Sequence, residues 1–301
     1  MHKINELTLV SGSSSLSVAP STGKLTRLMY ENKNLFVEPL AHEWERALSD
    51  EDRVLFQSLD AWGGDECFPT VGGSELWALR DHGVVWGKAP SLNFAHDNQC
   101  TTGWQWNSTH FKRTIKSVSE NMKPPRLGAF SIHVNFSELY PLNTFHPEIH
   151  SGIHAKSIYA SHALFAAEPG DFVEWGVIPL HSNVDSVLAG EFSRQVLAVR
   201  KFAEDNAPVA SKFYIQTPPG QLFFTSLLRK ELRLRIDVIQ SDTLPWVGIW
   251  WCHNGWGDGR PHSTVGIEPT NIPSDGPILN LESTRTSATL SGQIAWIISK
   301  I

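Results

Sequence analysis

The sequence predicts an all-β protein, a sandwich of large antiparallel sheets. Three observations predict it: many short runs that alternate or are rich in β-branched and aromatic residues, clusters of Gly, Pro, Asn, Asp and Ser between them, and almost no helical period. In chain order the runs are INELTLV (4–10), SLSV (15–18), FSIHVNF (130–136), SIYASHALFAA (157–167) and FVEWGVIPL (172–180). They continue with KFYIQT (212–217), QLFFTSLL (221–228), LRLRIDVI (232–239), WVGIWW (246–251) and ATLSGQIAWIIS (288–299). One segment reads as a helix, EFSRQVLAVRKFAED (191–205), where Phe192, Val196, Leu197 and Val199 form a partial apolar stripe.

No composition shift, linker or repeat divides the chain, so a single domain over residues 1–301 is expected. A chain of this length buries roughly three quarters of its unfolded surface and needs no staples. The three cysteines, Cys67, Cys100 and Cys252, are odd in number and form no C-x-x-C pair, which predicts free thiols in a reducing compartment. The first residues lack a basic segment followed by a long apolar run, and no stretch reaches the length of a membrane span. A soluble cytoplasmic protein, monomer or homodimer, is the expectation.

A net charge of −6 without a lysine or arginine block argues against nucleic acid, because phosphate binding needs clustered positive charge. Twelve tryptophans serve a large core and also offer flat platforms for the C–H faces of sugar rings.

Near the C-terminus TVGIEPTN (264–271) sets one carboxylate, Glu268, between a small apolar run and Pro269. Proline gives no amide hydrogen to a ladder and biases the residue before it toward extended backbone, so a strand carrying Val265 and Ile267 is expected to end there. A carboxylate at a strand end is placed equally well to meet a ligand or to sit in water.

Three more stretches accompany it: WGGDECFPT (62–70), RDHGVVW (80–86) and SIYASHALFAAEPGDFVEW (157–175). The last is followed by LPWVGIWWCHNGWGDGRPHSTVGIEPTN (244–271). In this order and spacing the chain resembles the aldose 1-epimerase, or galactose mutarotase-like, family in its divergent bacterial branch. The opening LTLVSGSSSLSVAPSTGKLTRLMYENKNLF (7–36) is similar to that family's usual start, without its paired glycines near Gly23.

The resemblance implies a β-supersandwich with an open cleft and an enzyme that interconverts the α and β anomers of an aldose, with no metal and no organic cofactor. It implies that Glu268 is the general base on the anomeric hydroxyl, that His162 is the acid for the ring oxygen, and that His82 binds the sugar. The chemistry suits these residue types. Opening a cyclic hemiacetal needs one group to take a proton from O1 and another to give one to O5, and closure reverses the roles, so both groups must exchange protons near neutral pH. The two side chains are expected in one cleft, about a pyranose ring apart. The family's sugar-contacting aspartate and arginine have no clear equivalents here.

Each residue has a plainer reading. Alternation puts Ile158, Ala160, His162 and Leu164 on one strand face, where His162 also reads as a hydrogen-bonded core histidine. His82 stands in a Gly-containing loop and also reads as a turn residue. Asp65 is a candidate for sugar hydroxyls, although it and Glu66, beside glycines, also read as surface turn caps. Lys212 is a candidate for a sugar oxygen or a solvent-facing lysine. Among Trp62, Trp86, Trp250 and Trp256, the indoles nearest the motifs, Trp250 is the candidate platform. A phosphorylated sugar would call for a basic cluster, with Arg80, Arg260 and Lys212 available. Two other classes compete: a sugar-binding protein of this fold without turnover, and a metal enzyme using His146, His150 and His154. Spaced by fours, these three would align on a helix that Pro147 and Gly152 disfavour.

Overall fold

The computed structural model describes residues 6–39, 61–73, 82–118, 125–144, 154–181, 183–203, 208–254, 263–276, 278–280 and 287–301. The chain begins with β1 (Leu7–Ser11), β2 (Ser14–Val18), β3 (Leu25–Tyr30), β4 (Lys33–Asn34) and β5 (Gly64–Cys67). There follow β6 (Leu92–His96), β7 (Gln99–Trp106), β8 (Thr109–Ser117), β9 (Arg126–Ser137), β10 (Leu139–Pro141), β11 (His154–Lys156), β12 (Ala160–Ala166) and β13 (Phe172–Ile178). A short helix α1 (Val184–Ala189) precedes β14 (Gln195–Lys201), β15 (Val209–Gln216), β16 (Leu222–Arg229) and β17 (Leu234–Gln240). The chain closes with β18 (Trp246–His253), β19 (Ser263–Thr270), β20 (Ile278–Asn280) and β21 (Thr289–Lys300).

These strands form two nine-stranded sheets and one three-stranded sheet. The first runs β1-β2-β3-β5-β12-β19-β18-β15, with β4 beside β3; the second runs β14-β13-β16-β17-β21-β9-β8-β7-β6. Side chains alternate across each strand. Ala163, Phe165, Val247, Ile249, Val265 and Ile267 therefore turn inward and join Ile132, Val134, Val238 and Trp296 of the second sheet in one core. The residues between them, His162, Gly248 and Glu268 included, occupy the opposite face of the first sheet. All three cysteines are buried and none is in a disulfide. Among the described residues no helix is long and apolar enough to cross a membrane.

Three expectations are overturned. The segment expected as a helix is the edge strand β14, paired with β13. Most of its apolar stripe has no core to enter: Val196, Leu197 and Val199 are exposed, while Phe192, ahead of the strand, packs against the cluster around α1, so pairing along β13 satisfies the backbone where helical packing could not. The helix forms earlier, at α1, where the Asn183 side chain accepts from the Ser186 amide at 2.8 Å and Val184, Val187 and Leu188 make one buried stripe. The Arg126 guanidinium closes its other end, donating to the carbonyls of Val187 at 2.8 Å and Leu188 at 2.9 Å.

The strand bearing Glu268 also runs past Pro269 to Thr270. Its pairing with β12 holds Ala160↔Thr270 and Ala163↔Ile267 and skips the two positions between. Pro269, which has no amide hydrogen, thus falls in an interruption of that ladder.

Nor are Asp65 and Glu66 surface caps; both are buried in β5. Glu66 faces inward, where Arg113 of β8 meets it at 3.1 Å with both side chains about 1% exposed. Arg113 also donates to the Gly23 carbonyl. This pair ties the two sheets together beneath Asp65 and Cys67. Removing one member strands a buried charge, so Arg113→Ala is expected to lower stability by about 3–5 kcal/mol. Urea unfolding of the two proteins checks this, and a loss under 1 kcal/mol would show that the pair is not holding the sheets.

Candidate active site

The register of the first sheet builds the site. In step with Ala160↔Thr270 and Ala163↔Ile267, His162 stands opposite Glu268. His162 pairs on its other side with Asp65, Glu268 pairs with Gly248, and Gly248 pairs with Tyr214. Residues opposed in antiparallel strands share a face, so Asp65, His162, Glu268 and Tyr214 form one row across five strands. Lys212, Trp250 and Gly266 form the adjacent row on that face.

Two glycines make this crowding feasible. A Cβ on Gly248 would lie 3.1 Å from Tyr214 Cε1 and 3.4 Å from Lys212 Cε, and one on Gly266 would lie 3.2 Å from Glu268 Oε1. Their missing side chains leave the volume in which Lys212 reaches across to Glu268.

The contact between the two central groups is direct: His162 Nε2 lies 3.6 Å from Glu268 Oε1, with both side chains buried. This is closer than the ring's width expected from the sequence. The physical reason lies in the register: residues opposed on adjacent antiparallel strands have Cβ atoms about 4.5–5.5 Å apart, which brings their side chains into contact rather than a ring's width apart.

Charge is balanced pair by pair. Lys212 Nζ lies 2.9 Å from Glu268 Oε2 and 2.9 Å from Asp275 Oδ1. The Tyr214 hydroxyl also donates to Asp275. Burial pulls the Lys212 pKa down, but the carboxylate of Glu268, then Tyr214 and Asp275, outweigh it and raise it. Burial likewise works to raise Asp275, and Lys212 with the Tyr214 hydroxyl holds it below the usual range. Asp65 is neutralised by the buried Lys24, whose ammonium lies 4.4 Å from the Trp62 ring centre.

His162 is held well below its ordinary pKa, first by burial and then by His82, Lys212 and Lys24. It therefore rests as a neutral imidazole near pH 7. His82 comes from a loop in which His82 and Gly83 both have left-handed backbones, at φ 60° and 72°. A Cβ on Gly83 would meet the Phe68 carbonyl oxygen at 2.2 Å, so this close approach demands glycine. The loop sets the His82 ring edge-on to His162, centroids 4.9 Å apart. Cys67, two residues from Asp65 on β5, also faces this point, and the ligating atoms of Cys67, His82 and His162 lie within 4.8 Å of one another.

Of the residues singled out from sequence, His162, Glu268, His82, Lys212, Asp65 and Trp250 thus share one face or meet at its pocket. Trp62 and Trp86 are almost fully buried. Trp256, Arg80 and Arg260 lie outside the described residues, as do His146 and His150, while His154 is in β11 of the small sheet. Sequence reasoning missed Lys24, Tyr214, Asp275 and the thiol of Cys67. Tyr214 was within reach, two residues beyond Lys212 in an alternating strand. Asp275 sits in a turn-like PSDG and carried no signal.

No protein-family model and no curated protein matches the chain. Solved structures do. A Synechocystis sp. PCC 6803 protein superposes at a TM-score of 0.60 with 12% identity, over 99% of this chain and 97% of that one. The galactose mutarotase related enzyme of Lactobacillus acidophilus superposes at 0.55 with 12% identity over 98% and 97%. The galactose 1-epimerase of Lactobacillus acidophilus NCFM gives 0.51 with 8% identity over 98% and 94%. The chain therefore has the galactose mutarotase-like fold, the β-supersandwich expected from the sequence.

The buried His162 also sets a pH dependence of stability. An unfolded histidine takes its proton near pH 6.5, whereas the folded one does so at lower pH. Between the two values the unfolded chain holds the extra proton, so stability falls as the pH drops below about 6.5, by at most about 1.4 kcal/mol per unit. His162→Asn is expected to flatten this slope in urea unfolding between pH 7 and pH 5. His133, lowered first by burial as well, remains in both proteins and cancels. Identical slopes would contradict a buried neutral His162.

Proposed function

We propose that the protein is an aldose 1-epimerase-like enzyme acting on a small sugar by general acid–base ring opening. The observation that carries this reading is the opposition of His162 and Glu268 across one register, in contact at 3.6 Å with both side chains buried. The likeness in fold to the galactose 1-epimerase of Lactobacillus acidophilus NCFM supports it.

In this reading the Glu268 carboxylate takes the O1 proton as the C1–O5 bond breaks and C1=O forms. Protonated His162 gives its proton to O5. After rotation about C1–C2, His162 takes the O5 proton back and Glu268 returns its own to O1 on either face of the sugar. Lys212 holds the carboxylate in place, and His82, Asp65, Lys212 and the ring of Trp250 are assigned to binding the sugar. Tyr214 and Asp275 at the rim add groups that reach hydroxyls.

One observation favours binding without turnover: Lys212 Nζ, 2.9 Å from Glu268 Oε2, already occupies an oxygen of the proposed base. Anomer exchange measured by NMR over a panel of free and phosphorylated aldoses separates the readings. The wild type is expected to accelerate at least one sugar, and His162→Ala and Glu268→Gln each to lose about 10²–10⁴-fold. Wild-type rates in either variant would remove that residue from the chemistry. A sugar that binds without acceleration by the wild type would establish the binding role instead.

The depressed His162 gives a second expectation. Opening needs its protonated form, which is scarce above its lowered pKa, so kcat/KM is expected to be higher at pH 6 than at pH 8. A rise toward pH 8 would contradict the acid role.

A further inference from the structure

We propose that Cys67, His82 and His162 form a binding site for a soft or borderline divalent metal ion, Zn²⁺ by preference, at the floor of the same pocket. The three ligating atoms already lie within 4.8 Å of one another. Bonds of about 2.3 Å to sulfur and 2.0–2.1 Å to nitrogen bring tetrahedral ligands to roughly 3.3–3.7 Å apart, a closing of about 1 Å that side-chain rotation can supply.

The scaffold is rigid where it matters. Cys67 and His162 stand on adjacent antiparallel strands, through Cys67↔Ala160 and Asp65↔His162, so they are diagonal neighbours on one face. His82 is held from above by its amide, which donates to the Val71 carbonyl at 2.5 Å, and by the Val84 amide, which donates to the Phe68 carbonyl at 2.8 Å. Both Cys67 and His162 are buried and His82 is half-buried, so an ion here would be screened from water.

The donor set chooses the ion. One thiolate and two imidazoles suit Zn²⁺ and its neighbours in the transition series, whereas Mg²⁺ and Ca²⁺ need oxygens. Three protein ligands leave a fourth position open to water or another donor. On binding, the Cys67 S–H proton passes to buffer, a metal–sulfur bond forms, and the ion sheds water. The negative charges of Glu268 and Asp65 favour the cation and the ammonium groups of Lys212 and Lys24 oppose it.

A consequence follows that rests on the epimerase reading. A lone pair of His162 given to the metal cannot carry a proton, so the ion is an inhibitor of the proposed chemistry rather than part of it. Zinc would then hold the enzyme idle, and its removal would restore activity.

Titration of metal-free protein with Co²⁺, followed by absorption, tests the site directly. One ion per chain is expected, with a thiolate-to-cobalt band that Zn²⁺ abolishes and excess Mg²⁺ does not. Cys67→Ser is expected to eliminate the thiolate band, and Cys67→Ser and His82→Ala each to weaken Zn²⁺ binding by about tenfold or more. Cys100→Ser and a His146→Ala/His150→Ala/His154→Ala variant are expected to bind as wild type does. Absence of the band, wild-type affinity in both Cys67→Ser and His82→Ala, or loss of binding in the triple-histidine variant would overturn the proposal. Zinc is further expected to slow anomer exchange in the wild type, and not in Cys67→Ser when each protein is compared with itself. A protein that binds Co²⁺ through Cys67 but never turns over a sugar would leave the metal site standing and remove only the epimerase reading.

Discussion

The register between β12 and β19 is the constraint on which the rest depends. It sets His162 against Glu268 without help from either side chain, because pairs on both sides of them are fixed by the ladder. A slip of one residue would turn His162 into the inter-sheet core and bring Ala163 to the pocket. What resists that slip is the inward set, Ala163, Phe165, Val265 and Ile267, all buried against the second sheet. Packing on one face thereby determines chemistry on the other.

Putting ionisable groups on a buried face has an electrostatic cost, and the structure meets it with counterions of opposite sign on neighbouring strands. Lys24 answers Asp65, Lys212 answers Glu268 and Asp275, and Arg113 answers Glu66 on the far side of β5. His162 is left as the group that stays neutral, because burial and the surrounding positive charge both disfavour its protonated form. The same arrangement brings together the ring nitrogens of His162 and His82 that a soft cation would compete for.

Much of this was legible in the sequence, for identifiable reasons. Alternation in SIYASHALF assigns His162 to the face of Ala160 and Leu164, and the structure keeps that assignment, with Tyr159 and Phe165 in the core. Glu268 was marked by its place before Pro269, although the strand does not stop there, because the ladder to β12 is interrupted where the proline falls. The helix expected at 191–205 failed because an apolar stripe is informative only if a core lies beside it, and an edge strand has none. Lys24 and Asp275 were illegible for a different reason. Each acts through partners far away in sequence, Lys24 through Asp65 and Asp275 through Lys212 and Tyr214, and local patterns carry no trace of such pairs.

In the proposed reaction one carboxylate and one imidazole serve two oxygens on a single sugar carbon. The most direct measurement is a crystal structure of Glu268→Gln soaked with the aldose whose anomers the wild type exchanges fastest. The anomeric O1 is expected within about 2.6–3.2 Å of the residue 268 side chain and O5 within the same distance of a His162 ring nitrogen. A sugar seated in the pocket with its anomeric carbon turned away from both groups would contradict the proposed reaction.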